Sequence, residues 1–297
     1  MLTLTTDTWY GTVSGEKTWA HATSTDLYHW KVHDIAIYGG GKRGSAWSGS
    51  AVVDYENTSG FFGNLSGASD GVVAIYTRHF DGDEVQAIAM SYDNGFTFDE
   101  DWPKNPVIDI KNPNFRDPKV IWHEPTRRWI MVVAHVSEQF VEFYSSTNLI
   151  KWRSESKFPV ATGAECPNLV PIPYLEDVVD AWPQDLPKSQ FASGNSKKHK
   201  STYLLFFSGG GNPLNGDSVT RYAPGIFNGT HFTPFDNRLN RVIDFGPDNY
   251  APQFFFDRDQ APPVAGGWKA NCPRSSQTSW WRWVAPQRWP WRRAPSR

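Results

Sequence analysis

The stretch "RRWIMVVAHVSEQFVEFYSSTNLIKW", residues 127–152, holds two short apolar runs followed by a polar turn that ends in tryptophan. Both runs are rich in β-branched and aromatic residues, and the polar letters "SEQ" separate them. Runs of this length and composition, bounded by turn residues, are typical of β-strands. The stretch therefore predicts two strands followed by a turn.

The rest of the chain repeats this pattern. Runs such as "GVVAIYTRHF", "VQAIAMSY" and "TYLLFFSG" recur at intervals of about 8 to 15 residues and are bounded by Gly, Pro, Asn or Asp. Helical periodicity is hard to find anywhere. The sequence therefore predicts an all-β fold, which leaves a sandwich, a barrel or a propeller open.

A recurring turn favours the propeller. "STNLIKW" at residues 146–152 matches "STDLYHW" at 24–30, and "SYDNGFTFD" at 91–99 is a looser third copy. Turn units about 55 to 67 residues apart are expected of repeated four-stranded blades, and about five such blades fit this length. We therefore predict a five-bladed β-propeller. The alternative is that the pattern is only a common hairpin turn.

The amino-acid composition narrows the classes of molecule that the protein could bind. The 297 residues carry a net charge of −2 and include 15 tryptophans. Aromatic-rich chains often bind carbohydrate, because the apolar faces of sugars stack on rings, although an aromatic β-core explains the tryptophans equally well. The near-neutral charge gives no support for nucleic-acid binding. No run of 18 apolar residues is present, so no membrane span is predicted, and two cysteines make no disulfide framework.

The segment "GAECPNLVP", residues 163–171, raises a chemical question. Glu165 is the only charged residue between Ala161 and Tyr174. If its carboxyl is half-buried among apolar neighbours, it holds its proton more readily than an exposed one does. A general acid needs this property.

Three segments place polar residues where predicted strands start: "AWSGSAVVD", "NFRDPKVIWHEP" and "ECPNLVP". They carry Trp47 and Ser48, then Arg116 and Asp117, then Glu165. In a propeller the equivalent strands of successive blades converge on a central channel. Two carboxylates and an arginine beside a tryptophan are typical of a glycosidase site.

These motifs give the chain a specific resemblance. "WSGSAVVDYENTSGFF", "FRDPKVIWHEPTRRWIMVVA", "ECPNL" and "VIDFGPDNYAPQFF" resemble glycoside hydrolase family 32, and the fungal β-fructofuranosidases most of all. The resemblance runs from about residue 7 to residue 267. It implies a five-bladed propeller followed by a β-sandwich. It also implies hydrolysis of terminal fructosyl units of sucrose or fructans by retaining double displacement, with no metal or organic cofactor.

The resemblance also implies residue roles. Asp117 grips fructose hydroxyls and stabilises the transition state, while Glu165 protonates the leaving oxygen and then activates water. Arg116 neutralises the site and orients the sugar. Trp47 and Ser48 form part of the fructose wall.

Other residues carry weaker expectations. Trp9 or Tyr10 matches a tryptophan that follows the family's first motif, and Tyr250 is a lining residue. Cys166 is expected to be a packing neighbour of the site and not a nucleophile. Asp81, Asp83 and Glu84, in "DGDEV", resemble a cation-binding loop but are expected to form a solvated hairpin tip.

The chain departs from the family in several ways. No N-D-P-N-G motif, which carries the family's nucleophilic aspartate, occurs in the sequence, and the first blade is expected to be incomplete. We expect a propeller domain at residues 1–267 and a Trp/Arg-rich segment at 268–297, which contains no Asp or Glu, with no β-sandwich. That segment could bind anionic surfaces, or it could be the product of a frameshift or a read-through intron.

Two function classes therefore stay open. The first is a β-fructofuranosidase whose partner is a small carbohydrate, and the second is a catalytically inactive propeller that at most binds fructosyl sugars. A sialidase-type propeller is disfavoured by the FRDP and ECP motifs. The family and three N-x-S/T sequons favour an extracellular location, although the first residues show no signal-peptide pattern.

Overall fold

The computed structural model describes residues 2–7, 17–24, 28–63, 71–173, 201–212, 216–239, 241–244 and 249–254. Within these ranges the chain forms sixteen β-strands and two 3-10 turns, Gly41–Arg43 and Glu124–Thr126, and no α-helix. The all-β prediction is confirmed. None of the described helical segments is long and apolar enough to cross a membrane.

The strands pair in chain order. They are β1 (Leu2–Asp7), β2 (Lys17–Thr23), β3 (Lys31–Ile37), β4 (Ser45–Val53), β5 (Val72–Phe80), β6 (Asp83–Ser91), β7 (Ile108–Asn112), β8 (Phe115–His123), β9 (Arg128–His135), β10 (Phe140–Ser146), β11 (Arg153–Pro159), β12 (Glu165–Pro173), β13 (Ser201–Asn212), β14 (Gly216–Phe227), β15 (Phe232–Pro234) and β16 (Arg241–Val242).

These strands form four antiparallel sheets. The first sheet is β1-β2-β3, the second is β4-β5-β6-β7 and the third is β8-β9-β10-β11. The fourth is β12-β13-β14-β15, and β16 also pairs with β14. Sheets in which each strand pairs with the next along the chain are the unit of a β-propeller. The described residues thus contain four such units, and five blades stay a prediction.

Successive sheets pack face to face. In β5, Val73 and Ile75 belong to the core shared with the third sheet, while Ala74 and Tyr76 belong to the core shared with the first sheet. Alternate side chains point to opposite faces of a strand, so both faces of the second sheet are buried. This double burial explains why the central strands have continuous apolar runs.

The recurring turn occupies the same place in the second and third sheets. Ser146 is the last residue of β10, and its hydroxyl accepts a hydrogen bond from Asn148 N at 3.1 Å, while Asn148 Oδ1 accepts from Lys151 N at 2.9 Å. Ser91 and Asp93 make the equivalent turn after β6. In both sheets the turn leads from the third strand to the fourth, as expected of a repeated unit.

The first strands of the later sheets lie side by side. Ser50 of β4 donates its hydroxyl to Pro118 O at 3.0 Å and accepts from Val120 N at 3.0 Å, which links β4 to β8. Arg116 of β8 contacts Glu165 of β12. The three segments singled out from the sequence therefore lie on neighbouring strands.

Candidate active site

Each of these three strands has a β-bulge where the sequence carries its candidate residues. The pairing register shifts between Ala46 and Gly49 in β4, between Arg116 and Lys119 in β8, and between Glu165 and Asn168 in β12. A bulge leaves residues out of the ladder and turns their side chains to a new direction. The bulges thus place Trp47–Ser48, Asp117 and Cys166 outside the regular alternation of the sheets.

Local sequence explains two of the bulges. Asp117 and Cys166 have φ angles of 62° and 50°, and each directly precedes a proline. Proline cannot donate to a strand ladder, and positive φ is rarely adopted by a residue with a side chain. Such backbone costs about 1–3 kcal/mol per residue and is concentrated at functional sites.

Arg116 lies between two glutamates. Its Nε and Nη2 donate to Glu165 Oε1 at 3.1 and 2.9 Å, and its Nη1 donates to Glu84 Oε1 and Oε2 at 2.9 and 3.2 Å. The Arg116 side chain is 16% exposed, against 2% for Glu84 and 28% for Glu165. The guanidinium therefore joins a buried carboxylate to one that solvent reaches.

Asp117 is buried beside this pair. Its Oδ2 accepts from Cys166 N at 2.9 Å and lies 3.6 Å from Cys166 Sγ, and its own backbone N donates to Thr77 Oγ1 at 3.0 Å. Burial raises the pKa of Asp117, and the Cys166 amide and the Arg116 charge oppose that rise. These contacts fix the carboxylate between β8 and β12.

Cys166 is chemically quiet. Burial, with the neighbouring charges of Asp117 and Glu165, raises the pKa of its thiol well above the usual value. A protonated thiol is a poor nucleophile. The side chain is therefore suited to packing and to a weak contact with Asp117, and not to covalent chemistry.

Tyr250 reaches the same glutamate from a distant part of the chain. Its hydroxyl donates to Glu165 Oε2, and burial together with the Glu165 charge raises the pKa of Tyr250. The phenol therefore stays protonated and remains a donor. Glu165 is thus held by Arg116 on one oxygen and by Tyr250 on the other.

Strands β8, β12 and β13 all bond to the segment that carries Tyr250. Asn168 Nδ2 of β12 donates to Pro252 O at 3.1 Å, and Ser208 Oγ of β13 accepts from Ala251 N at 3.2 Å. Lys119 Nζ of β8 donates to Phe254 O at 2.7 Å. Desolvation of the ammonium lowers the pKa of Lys119 to about 8.

Trp47 and Ser48 lie in the bulge of β4, on the strand next to Arg116. The Trp47 ring stacks on His79 with centroids 4.7 Å apart and an interplanar angle of 13°, and its carbonyl accepts from Trp19 Nε1 at 2.8 Å. His79 and Trp19 thus support the tryptophan from two sides. Trp9 and Tyr10 lie outside the described residues.

Two sequence-based expectations need correction. Glu84 is not at a solvated hairpin tip: the turn is formed by Asp81 and Gly82, and Glu84 lies inside β6 with 2% of its side chain exposed. Glu165 lies in an apolar run of sequence, yet its neighbours in space are polar, because Arg116 and Tyr250 come from other segments.

One signal could have found Glu84. Glu84 and Gln86 are two residues apart, so they share one face of β6, and both are buried. Gln86 Nε2 donates to Phe115 O at 2.8 Å, next to Arg116. A polar pair at strand spacing inside an otherwise apolar run indicates a buried polar partner.

The candidate site holds carboxylates and no metal-ligand set. Among the described residues, no three His, Cys, Asp or Glu side chains cluster closely enough to hold a metal ion. Two carboxyl groups, those of Asp117 and Glu165, lie beside the Arg116 guanidinium, and a pair of carboxyl groups is what most glycoside hydrolases use for catalysis.

A match to a protein-family model identifies which glycoside hydrolase family this is. Residues 7–290 match the glycosyl hydrolases family 32 N-terminal domain, and this chain belongs to that family. The fold class is thereby confirmed as that of the family's β-propeller enzymes.

Relatives support the assignment in sequence. Invertase 1 of Saccharomyces cerevisiae is 39% identical over 259 residues, which cover 85% of this chain and 44% of the invertase. The extracellular exo-inulinase of Meyerozyma guilliermondii is 39% identical over 265 residues, covering 85% of this chain and 46% of the inulinase.

Solved structures support it in three dimensions. A β-fructofuranosidase from Schwanniomyces occidentalis, complexed with fructosyl-erythritol, superposes with a TM-score of 0.67 at 38% identity over 80% of this chain and 43% of that one. An exo-inulinase from Aspergillus awamori superposes with a TM-score of 0.67 at 30% identity and covers 81% of this chain and 49% of that one. The chain thus spans less than half the length of each of these four relatives.

Proposed function

We propose that the protein is a β-fructofuranosidase that hydrolyses terminal, non-reducing β-fructofuranosyl units of sucrose and of inulin-type fructans. The observation that carries the proposal is the cluster of Arg116, Asp117 and Glu165 on neighbouring strand bulges. The names of the relatives, which are invertases and inulinases, support the same substrate class.

The side chains take distinct roles in this proposal. Glu165 is exposed enough to reach a leaving oxygen and acts as the acid and then as the base, held by Arg116 and Tyr250. Asp117 stabilises the charge that develops on the fructosyl ring. Trp47 supplies the apolar wall on which a sugar face packs, with Ser48 beside it in the β4 bulge.

A retaining mechanism also needs a carboxylate nucleophile. The sequence contains no N-D-P-N-G motif, so we assign the nucleophile to no residue of this chain. The second candidate function is the binding of fructosyl sugars without hydrolysis, and the relatives, which are named as invertases and inulinases, do not favour it. Both candidate functions use the same site and differ only in whether the bound sugar is hydrolysed.

The domain boundary and the location are part of the same proposal. We propose a propeller domain over residues 1–267 and a separate Trp/Arg-rich segment over 268–297, because all 31 acidic residues precede residue 268. Three N-x-S/T sequons, and a relative described as extracellular, support an extracellular location.

The test is fructose release from sucrose by the purified chain and by Glu165→Gln. If the wild type releases fructose, we expect a loss of at least about 1,000-fold in the variant, because the general acid is removed while the shape of the side chain is kept. Glu56→Gln, an exposed glutamate paired with Arg127, is the matched control and should keep full activity.

Titration of both proteins with fructose, followed by tryptophan fluorescence, separates the two candidates. Binding without release by folded wild-type protein would replace hydrolysis by the second candidate. Equal release by the wild type and Glu165→Gln would contradict the role of Glu165.

A further inference from the structure

Arg116 and the carboxylates of Glu84, Asp117 and Glu165 form a cluster, here called the Arg116 cluster. Its buried end, at Glu84, has no role in the proposed reaction. Glu84 is 2% exposed and lies behind Arg116, on the side away from the solvent-accessible carboxylate of Glu165. It comes from β6, the third strand of the second sheet, whereas Arg116 belongs to the third sheet. Because the Glu84 side chain is almost fully buried, it cannot contact a bound sugar.

The contacts of Arg116 divide between the two ends of its guanidinium. Nη1 donates to both carboxylate oxygens of Glu84, at 2.9 and 3.2 Å, while Nε and Nη2 form a two-pronged contact with one oxygen of Glu165. Guanidinium is planar and its donors have a fixed geometry. Fixing Nη1 therefore also fixes the plane in which Nε and Nη2 lie.

Without Glu84, the Arg116 side chain would lose its inner contact and would be freer to change rotamer. Arginine has several rotatable bonds, and ordering such a side chain costs up to about 2 kcal/mol of conformational entropy. A buried, charge-assisted hydrogen bond at the inner end offsets that cost before any sugar arrives. Arg116 is thus pre-organised for Glu165 by a group that never touches the substrate.

The charges of the cluster support this arrangement. Arg116 faces three carboxylates, those of Glu84, Asp117 and Glu165. Burial raises the pKa of Glu84 to about 7, and the adjacent Arg116 opposes the rise while Asp117 adds to it. Glu84 can therefore take up a proton near neutral pH. When it does, the electrostatic attraction between Arg116 and Glu84 weakens.

We propose that Glu84 is a positioning residue of this active site: its buried carboxylate holds the inner end of Arg116 and thereby fixes the guanidinium against Glu165. The geometry of this proposal stands on the contacts alone. Its consequence for catalysis rests on the proposed hydrolysis.

The first test measures the geometry without any turnover. The Nε–H signal of Arg116 is followed by NMR, assigned by its loss in Arg116→Lys, and its exchange with water is compared between the wild type and Glu84 variants. Glu84→Met keeps the volume but removes the charge and the acceptor, while Glu84→Gln keeps one acceptor. We expect exchange to accelerate by at least about tenfold in Glu84→Met, with Glu84→Gln in between.

The control is Glu142→Gln in β10. Glu142 is also a buried glutamate, bonded to His135, Tyr144 and Ser154, and it lies outside the Arg116 cluster. Its variant should leave Arg116 exchange unchanged. Equal exchange in the wild type and all folded Glu84 variants would overturn the proposal. If Glu84→Met does not fold, Glu84→Gln decides by the same comparison.

The second test measures catalysis. In fructose release from sucrose, we expect Glu84→Met to lower kcat by about 10- to 100-fold with KM changed less than about threefold, because the substrate contacts remain. A purely structural role would lower the melting temperature and leave kcat per folded molecule unchanged. If the wild type releases no fructose, the proposed hydrolysis fails, and the exchange measurement still decides the role of Glu84.

Discussion

Glu84 keeps its proton to a pH at which an exposed glutamate has lost it. Burial raises its pKa from 4.5 to about 7. Between these two values the folded state binds more protons than the unfolded state, so stability decreases as pH rises. The contribution is fully present below about pH 4.5 and is lost above about pH 7. It amounts to up to about 3 kcal/mol.

Glu84→Gln should remove this dependence. We expect the wild type to lose more stability than Glu84→Gln between pH 4.5 and pH 8, because the variant carries no titrating group at this position. Asp117 shifts in the same direction in both proteins, so the difference between the two curves is the relevant quantity. Thermal unfolding followed by circular dichroism across this pH range measures it, and parallel curves would refute the prediction.

Motifs identified some of these residues from the sequence and not others. Arg116, Asp117 and Glu165 were selected because each begins a strand-like run in a recognisable motif, and the structure brings them together. Glu84 was missed because its neighbours, "DGDEV", have the composition of a turn. Only the packing of β6 against the third sheet, through Glu84 and Arg116, shows which side of the hairpin is buried.

At the level of elements, the strand predictions were correct where the sequence carries a clear apolar run. The apolar runs correspond to β4, β5, β6, β8, β9, β10 and β13. The runs did not include β7 and β11, the fourth strands of the second and third sheets. Both are largely polar, and half or fewer of their residues are buried or half-buried.

The segment 249–254 is an element without regular structure, and its position depends on side-chain tethers. Lys119 Nζ holds Phe254 O, four residues beyond Tyr250. We expect Lys119→Met to lower fructose release several-fold, because Tyr250 is then less firmly held against Glu165. The exposed Lys104→Met is the matched control.

Activity assays of the two lysine variants, with thermal melts for each, measure this prediction. Equal activity in Lys119→Met and Lys104→Met would show that the other contacts of the segment, such as those of Asn168 and Ser208, are enough to hold it. A loss of activity that follows a loss of folded protein would also contradict the tether.

At the level of the whole molecule, stability resides between the sheets. Phe143 of β10 is 1% exposed and stacks on Phe227 of β14 with centroids 5.3 Å apart, so it joins the third sheet to the fourth. We expect Phe143→Ala to reduce the free energy of unfolding by about 3–5 kcal/mol, because it leaves a cavity between two sheets.

Urea unfolding of Phe143→Ala and of Phe80→Ala measures this prediction. Phe80 is 50% exposed, so its loss should cost under about 1 kcal/mol. Equal destabilisation by the two variants would show that the sheets do not depend on their shared core.

The number of sheets shows the limit of sequence-based inference at this scale. The turn repeat predicted repeated units, and the structure places that turn identically in two sheets. The prediction of five blades divides the chain length by a typical blade size, and this ratio carries no information about which strands pair. A count of blades depends on which strands pair, and pairing is set by contacts far apart in sequence.

The bulges that aim the carboxylates also keep neighbouring sheets separate. Strands β8 and β12 are each the outermost strand on one side of their sheet, and an outermost strand can pair with another strand that lies beside it. Strand β8 lies beside both β4 and β12. Pro118 and Pro167 lie in the bulges of β8 and β12, and a kinked strand with a missing donor is a poor template for such pairing. The backbone that places Asp117 and Cys166 therefore also limits each sheet to its own strands.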